Sequence, residues 1–256
     1  MKKMDFNCYC GNWPFYRVRY NTIEKLSALH ARQSIEGGFV SAMEAIFYQD
    51  PYEAEKALAK DLEGTAYMQA LILNPTLTGW KDDLRRAVKE LNIKAVRLMP
   101  GFHNYTLADD CVQEACDAIR EYQLPLLLTM RIRDERTAWI FSPRSLPIDE
   151  IAAFLDKNKD ILTILACARS AEVAQLKAQF DARDNLFTEM SGFKDCPELS
   201  EVAALTVAKD RILYGSSAPL LEINSTTIML ERSLISDDDK ENIFSGKYFL
   251  AQMNSR

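Results

Sequence analysis

The sequence predicts an α/β fold, a parallel sheet covered by helices. Three observations lead there. Short apolar runs with strand character alternate with amphipathic runs of helical character from end to end, in about eight units. The 256 residues are close to the ~250 of a (β/α)8 barrel. No Pro/Gly/Ser-rich linker or shift of composition breaks the alternation, so residues 1–256 are read as one domain. Alternation alone leaves a closed barrel and an open doubly wound sheet both open.

Each element has its local signal. Met4 to Tyr9 reads as the first strand. Thr22 to Ser34 reads as a helix, with Ile23, Leu26, Leu29 and His30 along one face. Gly37-Gly38 punctuates the chain, and Phe39 to Phe47 reads as the second strand. Pro51 to Leu62 is an alanine-rich helix with Asp50 as its expected cap. Thr65 to Leu73 is a third strand, stopped by Asn74-Pro75. Trp80 to Leu91 is an amphipathic helix, and Ala95 to Met99 a fourth strand ended by Pro100-Gly101. Asp109 to Tyr122 is a helix whose acidic first turn suits its dipole. Leu126 to Met130 is the fifth strand. Helix Ile148 to Asn158 leads to strand Ile161 to Cys167, Ser170 to Phe180 to Leu186 to Met190, and Pro197 to Ala208 to Arg211 to Tyr214. Thr226 to Leu234 and Asp237 to Phe244 close the chain as helices.

Composition narrows the function classes. The net charge of −6 argues against a nucleic-acid partner. No apolar run approaches ~18 residues, so no membrane span is expected. No secretory h-region follows Met1, and six cysteines lie scattered without a disulfide framework, which together predict a cytoplasmic protein with reduced thiols. The first strand carries no Gly-rich phosphate turn, which weighs against a dinucleotide cofactor. No internal repeat is evident, which weighs against a solenoid.

The most informative segment is Asp5-Phe6-Asn7-Cys8-Tyr9-Cys10-Gly11. It resembles the D-x-H-x-H-x-G opening of the amidohydrolase superfamily, in particular its amidohydrolase-2 branch. The resemblance extends over most of the chain and implies a (β/α)8 TIM barrel with its site at the C-terminal strand ends. It also implies a divalent metal held by histidines, yet Asn7 and Tyr9 stand at the two histidine positions. The branch's L-P-v-x-x-H has its counterpart in Leu124-Pro125-Leu126-Leu127-Leu128-Thr129-Met130, with Thr129 or Met130 at the histidine. The sixth strand ends Leu165-Ala166-Cys167-Ala168, again without histidine. G-T-D-x-P has its counterpart in Gly215-Ser216-Ser217-Ala218-Pro219, where Ser217 matches the catalytic aspartate. The frame persists and the ligands do not, so no metal and no other cofactor is expected.

Histidine content agrees. The chain has two, His30 and His103. His30 falls on a helix face and reads as structural or surface. One histidine cannot build a His-rich metal site. A Cys8/Cys10 thiolate site is conceivable, with buried structural thiols the plainer reading. A carboxylate-only Mg²⁺ or Mn²⁺ site is conceivable too.

The candidate residues cluster at strand ends. Asn7 and Tyr9, two apart, share one face of the first strand. His103 and Asn104 lie on the loop Pro100 to Tyr105 after the fourth strand, with His103 the candidate proton shuttle near neutral pH. Glu189, at the end of the seventh strand, is the candidate acid or base, and Glu44 in the second strand a similar one. Arg97, Arg131 and Arg169 lie in or after strands four, five and six, where guanidinium groups suit a carboxylate or phosphate. The run Arg131-Ile132-Arg133-Asp134-Glu135-Arg136 also reads as a self-paired surface network. Three readings follow. The first is a hydrolase-like enzyme with a metal-independent site for a small anionic substrate. The second is a non-catalytic barrel that binds a small acid or a partner. The third is a hydrolase with one atypical metal. A homo-oligomer is compatible with all three.

Overall fold

The computed structural model describes residues 2–132 and 143–256. Arg133, Asp134, Glu135 and Arg136 of the charged run therefore lie outside the described residues. Eight parallel strands follow one another in sequence order: β1 (Lys3–Cys10), β2 (Ile35–Ala42), β3 (Tyr67–Leu73), β4 (Ala95–Leu98), β5 (Leu126–Thr129), β6 (Thr163–Ala166), β7 (Leu186–Glu189) and β8 (Ile212–Leu213). The ring closes between its ends. Phe6 N donates to Tyr214 O and Tyr9 N to Ala218 O, both at 2.8 Å, and Cys8 bridges Ala218 in parallel. The fold is thus a TIM barrel rather than an open doubly wound sheet. Strands β3 to β8 are buried almost throughout, as expected where helices cover one side and a packed interior the other.

The helices follow the strands: α1 (Ile23–Ala31), α2 (Tyr52–Leu62), α3 (Trp80–Glu90), α4 (Pro100–His103), α5 (Asp110–Glu121), α6 (Ile148–Lys157), α7 (Ser170–Gln175), α8 (Lys177–Asp181), α9 (Cys196–Leu205), α10 (Ile223–Arg232), α11 (Asp237–Ser245) and α12 (Lys247–Asn254). Thr22 caps α1 by accepting from Lys25 N. Asp195 caps α9 and Ser236 caps α11 in the same way. The expected Asp50 cap does not form; Pro51 takes the N-cap position without a side-chain bond.

Four expectations need correction. Gly37 and Gly38 do not interrupt the chain; they lie inside β2. A Cβ at Gly38 would collide with the Asp5 carbonyl, and one at Gly37 with that of Ala66, so the glycines allow the strands to close up there. Strand β2 then ends at Ala42, and Glu44 begins a 3-10 turn, Glu44–Ile46, instead of continuing the strand. The segment after β4 is a helical turn, α4, ended by Asn104 in the left-handed region at φ 55°. Finally, α12 has no counterpart among the sequence-predicted helices. Its Phe249 plugs the N-terminal end of the barrel, with ring centroids 5.6 Å from Phe6, 5.9 Å from Phe39 and 5.3 Å from Phe187. Gly246, at φ 57°, turns the chain from α11 into α12 against the Phe6 ring.

One irregularity sets up the site. Asp5 pairs with Gly38 and Cys8 with Val40, so β1 carries an extra residue relative to β2. Phe6 joins the interior aromatic cluster, and the next residue, Asn7, bonds inward to residues of β4, of β7 and of the segment after β8. The bulge lets two successive side chains face the barrel interior. It leaves Asp5 and Cys8 on the outer side, toward α1.

Candidate active site at the barrel mouth

At the C-terminal ends of the strands, the substituted positions meet in one hydrogen-bonded network. Arg97, from the middle of β4, is fully buried. Its Nε donates to Ser41 Oγ at 2.8 Å; its Nη1 donates to Tyr9 OH at 2.7 Å, Asn7 Oδ1 at 2.9 Å and Thr129 Oγ1 at 3.1 Å. The Tyr9 ring lies against the guanidinium, 4.6 Å from its carbon to the ring centroid. Asn7 passes the contact on. Its Nδ2 donates to Ser217 Oγ at 2.8 Å and Glu189 Oε1 at 3.0 Å, with Ser191 Oγ at 3.3 Å. An arginine on one side and a carboxylate on the other fix the orientation of the Asn7 amide.

Glu189 has little left to offer. Its Oε1 accepts from Asn7, from Ser191 Oγ at 2.8 Å and closely from Cys167 N; its Oε2 accepts from Ser191 N at 2.6 Å. Burial raises its carboxyl above the ordinary range, opposed by those bonds. Ser217 Oγ and Ser191 Oγ are 2.9 Å apart. Cys167 and Ser217, at φ 57° and 53°, hold the left-handed conformation at the ends of β6 and β8, a strain typical of functional loops. Burial holds the Tyr9 phenol and the Cys167 thiol neutral, each pushed up to about 12.

Asn7, Tyr9, Arg97, Glu189 and Ser217 are brought together, all fully buried. Other candidates lie apart. His103 is tied by Nε2 to Ile46 O at 3.1 Å, and among the described residues no hydrogen bond joins it to the Arg97 network. Burial lowers its pKa to about 4, so the ring is neutral at pH 7. Asn104 is exposed at the cap of α4. Arg131 grips Glu172 with both terminal nitrogens and also donates to Cys167 O at 2.7 Å. Arg169 is exposed at the start of α7, its backbone N–H bonded to Glu172 Oε2 at 2.8 Å. Glu44 accepts from Asn12 N at 2.6 Å and Asn12 Nδ2 at 3.1 Å, outside the network. His30 is fully buried, not on the surface. Ser41 and Ser191 belong to the site, although sequence reasoning does not single them out. Neither carries a sequence signal beyond proximity to a strand end.

At the same end of the barrel, Trp13, Phe15, Phe47 and Phe102, on the segments after β1, β2 and β4, pack edge to face with centroids 5.4–6.3 Å apart. Among the described residues, no helix is long and apolar enough to cross a membrane.

Solved structures share this architecture. A protein from Staphylococcus aureus provisionally assigned as an amidohydrolase matches with a TM-score of 0.74 at 14% identity, covering 100% of both chains. The 2,6-dihydroxybenzoate decarboxylase of Rhizobium matches with a TM-score of 0.72 at 14% identity, covering 98% of this chain and 99% of its own. A dihydroxybenzoic acid decarboxylase from Polaromonas sp. JS666, with bound manganese and the inhibitor 2-nitroresorcinol, matches with a TM-score of 0.74 at 16% identity, covering 98% and 97%. No family model and no curated protein matches the chain. The chain therefore shares the TIM-barrel fold of these proteins over its full length.

The mouth does not fit a divalent metal of the kind that the resemblance implies. Asn7 and Tyr9 stand at the two β1 ligand positions, and Arg97 Nη1 donates to both their oxygens. A permanently charged guanidinium bonded to both would repel an added cation. The Asn7 amide instead directs N–H groups at Ser217 and Glu189.

Proposed function

We propose that this chain is a metal-independent, non-hydrolytic barrel that binds a small carboxylate at its mouth, with Arg97 as the receptor. One observation carries the reading. Arg97 Nη2 is buried and has no hydrogen-bond partner among the described residues, while Nε and Nη1 are held by four side chains. A buried charged donor without an acceptor is costly, and a carboxylate would supply the acceptor to an already oriented group. Two further features support a receptor over a catalyst. The Glu189 oxygens are occupied by donors, and His103 is held by a backbone carbonyl outside the network. The molecules bound in two such decarboxylase structures, 2,6-dihydroxybenzoate and 2-nitroresorcinol, suggest the size of molecule such a mouth accepts. The aromatic rings nearby would suit it.

Thermal unfolding with acetate, benzoate and 2,6-dihydroxybenzoate tests the reading. The aromatic acids raise the midpoint, by up to ~2.7 kcal/mol of stability at a hundredfold excess over Kd. Arg97→Lys, which keeps the charge and loses the planar fork, removes most of the effect. Equal stabilisation of wild type and variant, or none of wild type, overturns the receptor role. Steady release of resorcinol from 2,6-dihydroxybenzoate overturns the non-catalytic part.

A further inference from the structure

We propose that Asp5, Cys8 and His30 form a transition-metal site on the outer side of β1, separate from the mouth, with zinc as the ion best suited to its donors. The bulge in β1 turns Asp5 and Cys8 away from the barrel interior, and His30 approaches from α1. The carboxylate oxygen, the sulfur and the ring nitrogen lie within 4.8 Å of one another, and all three residues are buried. This is a nitrogen–oxygen–sulfur set of the kind zinc takes.

The geometry within the group is that of ligands on one ion. His30 Nε2 is buried and pairs with Asp5 Oδ2 at 3.2 Å, without a hydrogen bond to any of the described residues. That separation is close to the ~3.4 Å expected between nitrogen and oxygen on one tetrahedral zinc with bonds of ~2.0–2.2 Å. The surroundings hold the ligands as an outer shell does. Tyr67 OH contacts His30 Nδ1 at 2.8 Å, which fixes the ring with Nε2 toward Asp5. Asp5 Oδ1 accepts from Asn7 N at 3.0 Å and Ser216 N at 3.1 Å, which leaves Oδ2, bonded by Ser216 Oγ, facing the histidine. Ser216 Oγ, bonded to Asp5 Oδ2, offers an oxygen for a fourth position.

Binding would change one bond in the chain. The Cys8 thiol now donates to Phe39 O at 3.1 Å. On metal binding its S–H bond breaks, a sulfur–metal bond forms and one proton passes to solvent. Since the ligands are sealed inside the folded chain, the ion enters during folding. The neighbouring Cys10 is no part of the site; its sulfur donates to Asn21 O at 3.2 Å.

The test is cobalt substitution of the whole chain, unfolded with chelator and refolded with Co²⁺. The expected result is stoichiometric cobalt after dialysis, with visible d–d bands and a near-ultraviolet sulfur-to-cobalt charge-transfer band. Cys8→Ala loses that band; Cys10→Ala and Cys167→Ala keep it. Tyr67→Phe, which alters only the outer shell, weakens zinc binding about 10–100-fold. Refolded wild type without stoichiometric cobalt or without the charge-transfer band overturns the proposal, even if Cys8→Ala fails to fold. So does a band that survives Cys8→Ala and disappears in Cys167→Ala. The outcome is independent of carboxylate binding at Arg97, since the two sites lie on opposite sides of β1.

Discussion

Replacing Asn7 by alanine separates a packed polar core from a wet pocket. Asn7 is fully buried and its amide joins four side chains: Arg97, Glu189, Ser191 and Ser217. Two of those bonds go to charged partners, which are worth ~1.5–3 kcal/mol each, and a neutral one is worth ~1 kcal/mol. The partners are not fully orphaned. Arg97 Nη1 keeps Tyr9 and Thr129, and Glu189 keeps Ser191 and Cys167. The expected loss is therefore below the simple total, ~3–4 kcal/mol. For a chain of this size that lowers the thermal midpoint by roughly 6–15 °C. Urea unfolding with an unchanged m-value and a lower midpoint concentration is the assay. A loss under ~1 kcal/mol would mean that water already satisfies these groups, and the picture of a filled mouth would be wrong.

Three other outcomes follow from burial. Glu55 is buried, accepts from Ile72 N and Gln69 Nε2, and burial raises its pKa to about 8. Its folded form then holds a proton that the unfolded chain releases, so stability falls as pH rises from 4.5 toward 8; Glu55→Gln flattens that slope in urea titrations, and an unchanged slope refutes it. His103 has the opposite sign. With its folded pKa lowered to about 4 from 6.5, the unfolded chain binds the extra proton, so its contribution is lost as pH falls from 6.5 to 4. NMR of the His103 ring should show no titration above about pH 5.5, and a midpoint near 6.5 would sink the claim. Phe249→Ala removes the plug at the N-terminal end and should cost ~3–5 kcal/mol by chemical denaturation; a cost under ~1 kcal/mol would show that α12 is dispensable.

The barrel is legible in the sequence because parallel strands buried on both sides leave a strong signal. Runs such as Leu126-Leu127-Leu128 and Thr163-Ile164-Leu165 admit little else once helices alternate with them. Element ends are less legible. Gly37-Gly38 reads as a break by propensity, yet tight interstrand approach makes glycine a strand residue there. The gathering of Asn7, Tyr9, Arg97, Glu189 and Ser217 is legible through the resemblance, which places most of them at strand ends. His103 lies at the mouth end, as its position after β4 suggests, but α4 directs the ring to the Ile46 carbonyl, and one helical turn after a strand leaves no periodic pattern to read. The outer cluster is invisible for a different reason. Asp5 and His30 are far apart along the chain, and only the β1 bulge places Asp5 and Cys8 on one side.

Arg97 holds the barrel mouth together from within, bonded to Asn7 and Tyr9. Glu189 is a buried carboxylate, and burial alone would favour neutralising it. Arg97 does not touch it directly; the Asn7 amide stands between them, oxygen toward the guanidinium and nitrogen toward the carboxylate. One oriented dipole thereby solvates both ends. Histidine at this position could not do this in its neutral form with the same reach, since it offers one donor and one acceptor on a rigid ring. Aspartate there would accept from Arg97 but set a second negative charge beside Glu189. Among these three side chains, the amide alone presents an acceptor to Arg97 and two N–H groups to Glu189 and Ser217 at once. Asn7 and Arg97 therefore act as one coupled pair, each fixing the orientation of the other. Asn7→His in a chain that keeps Arg97 would not create a metal site.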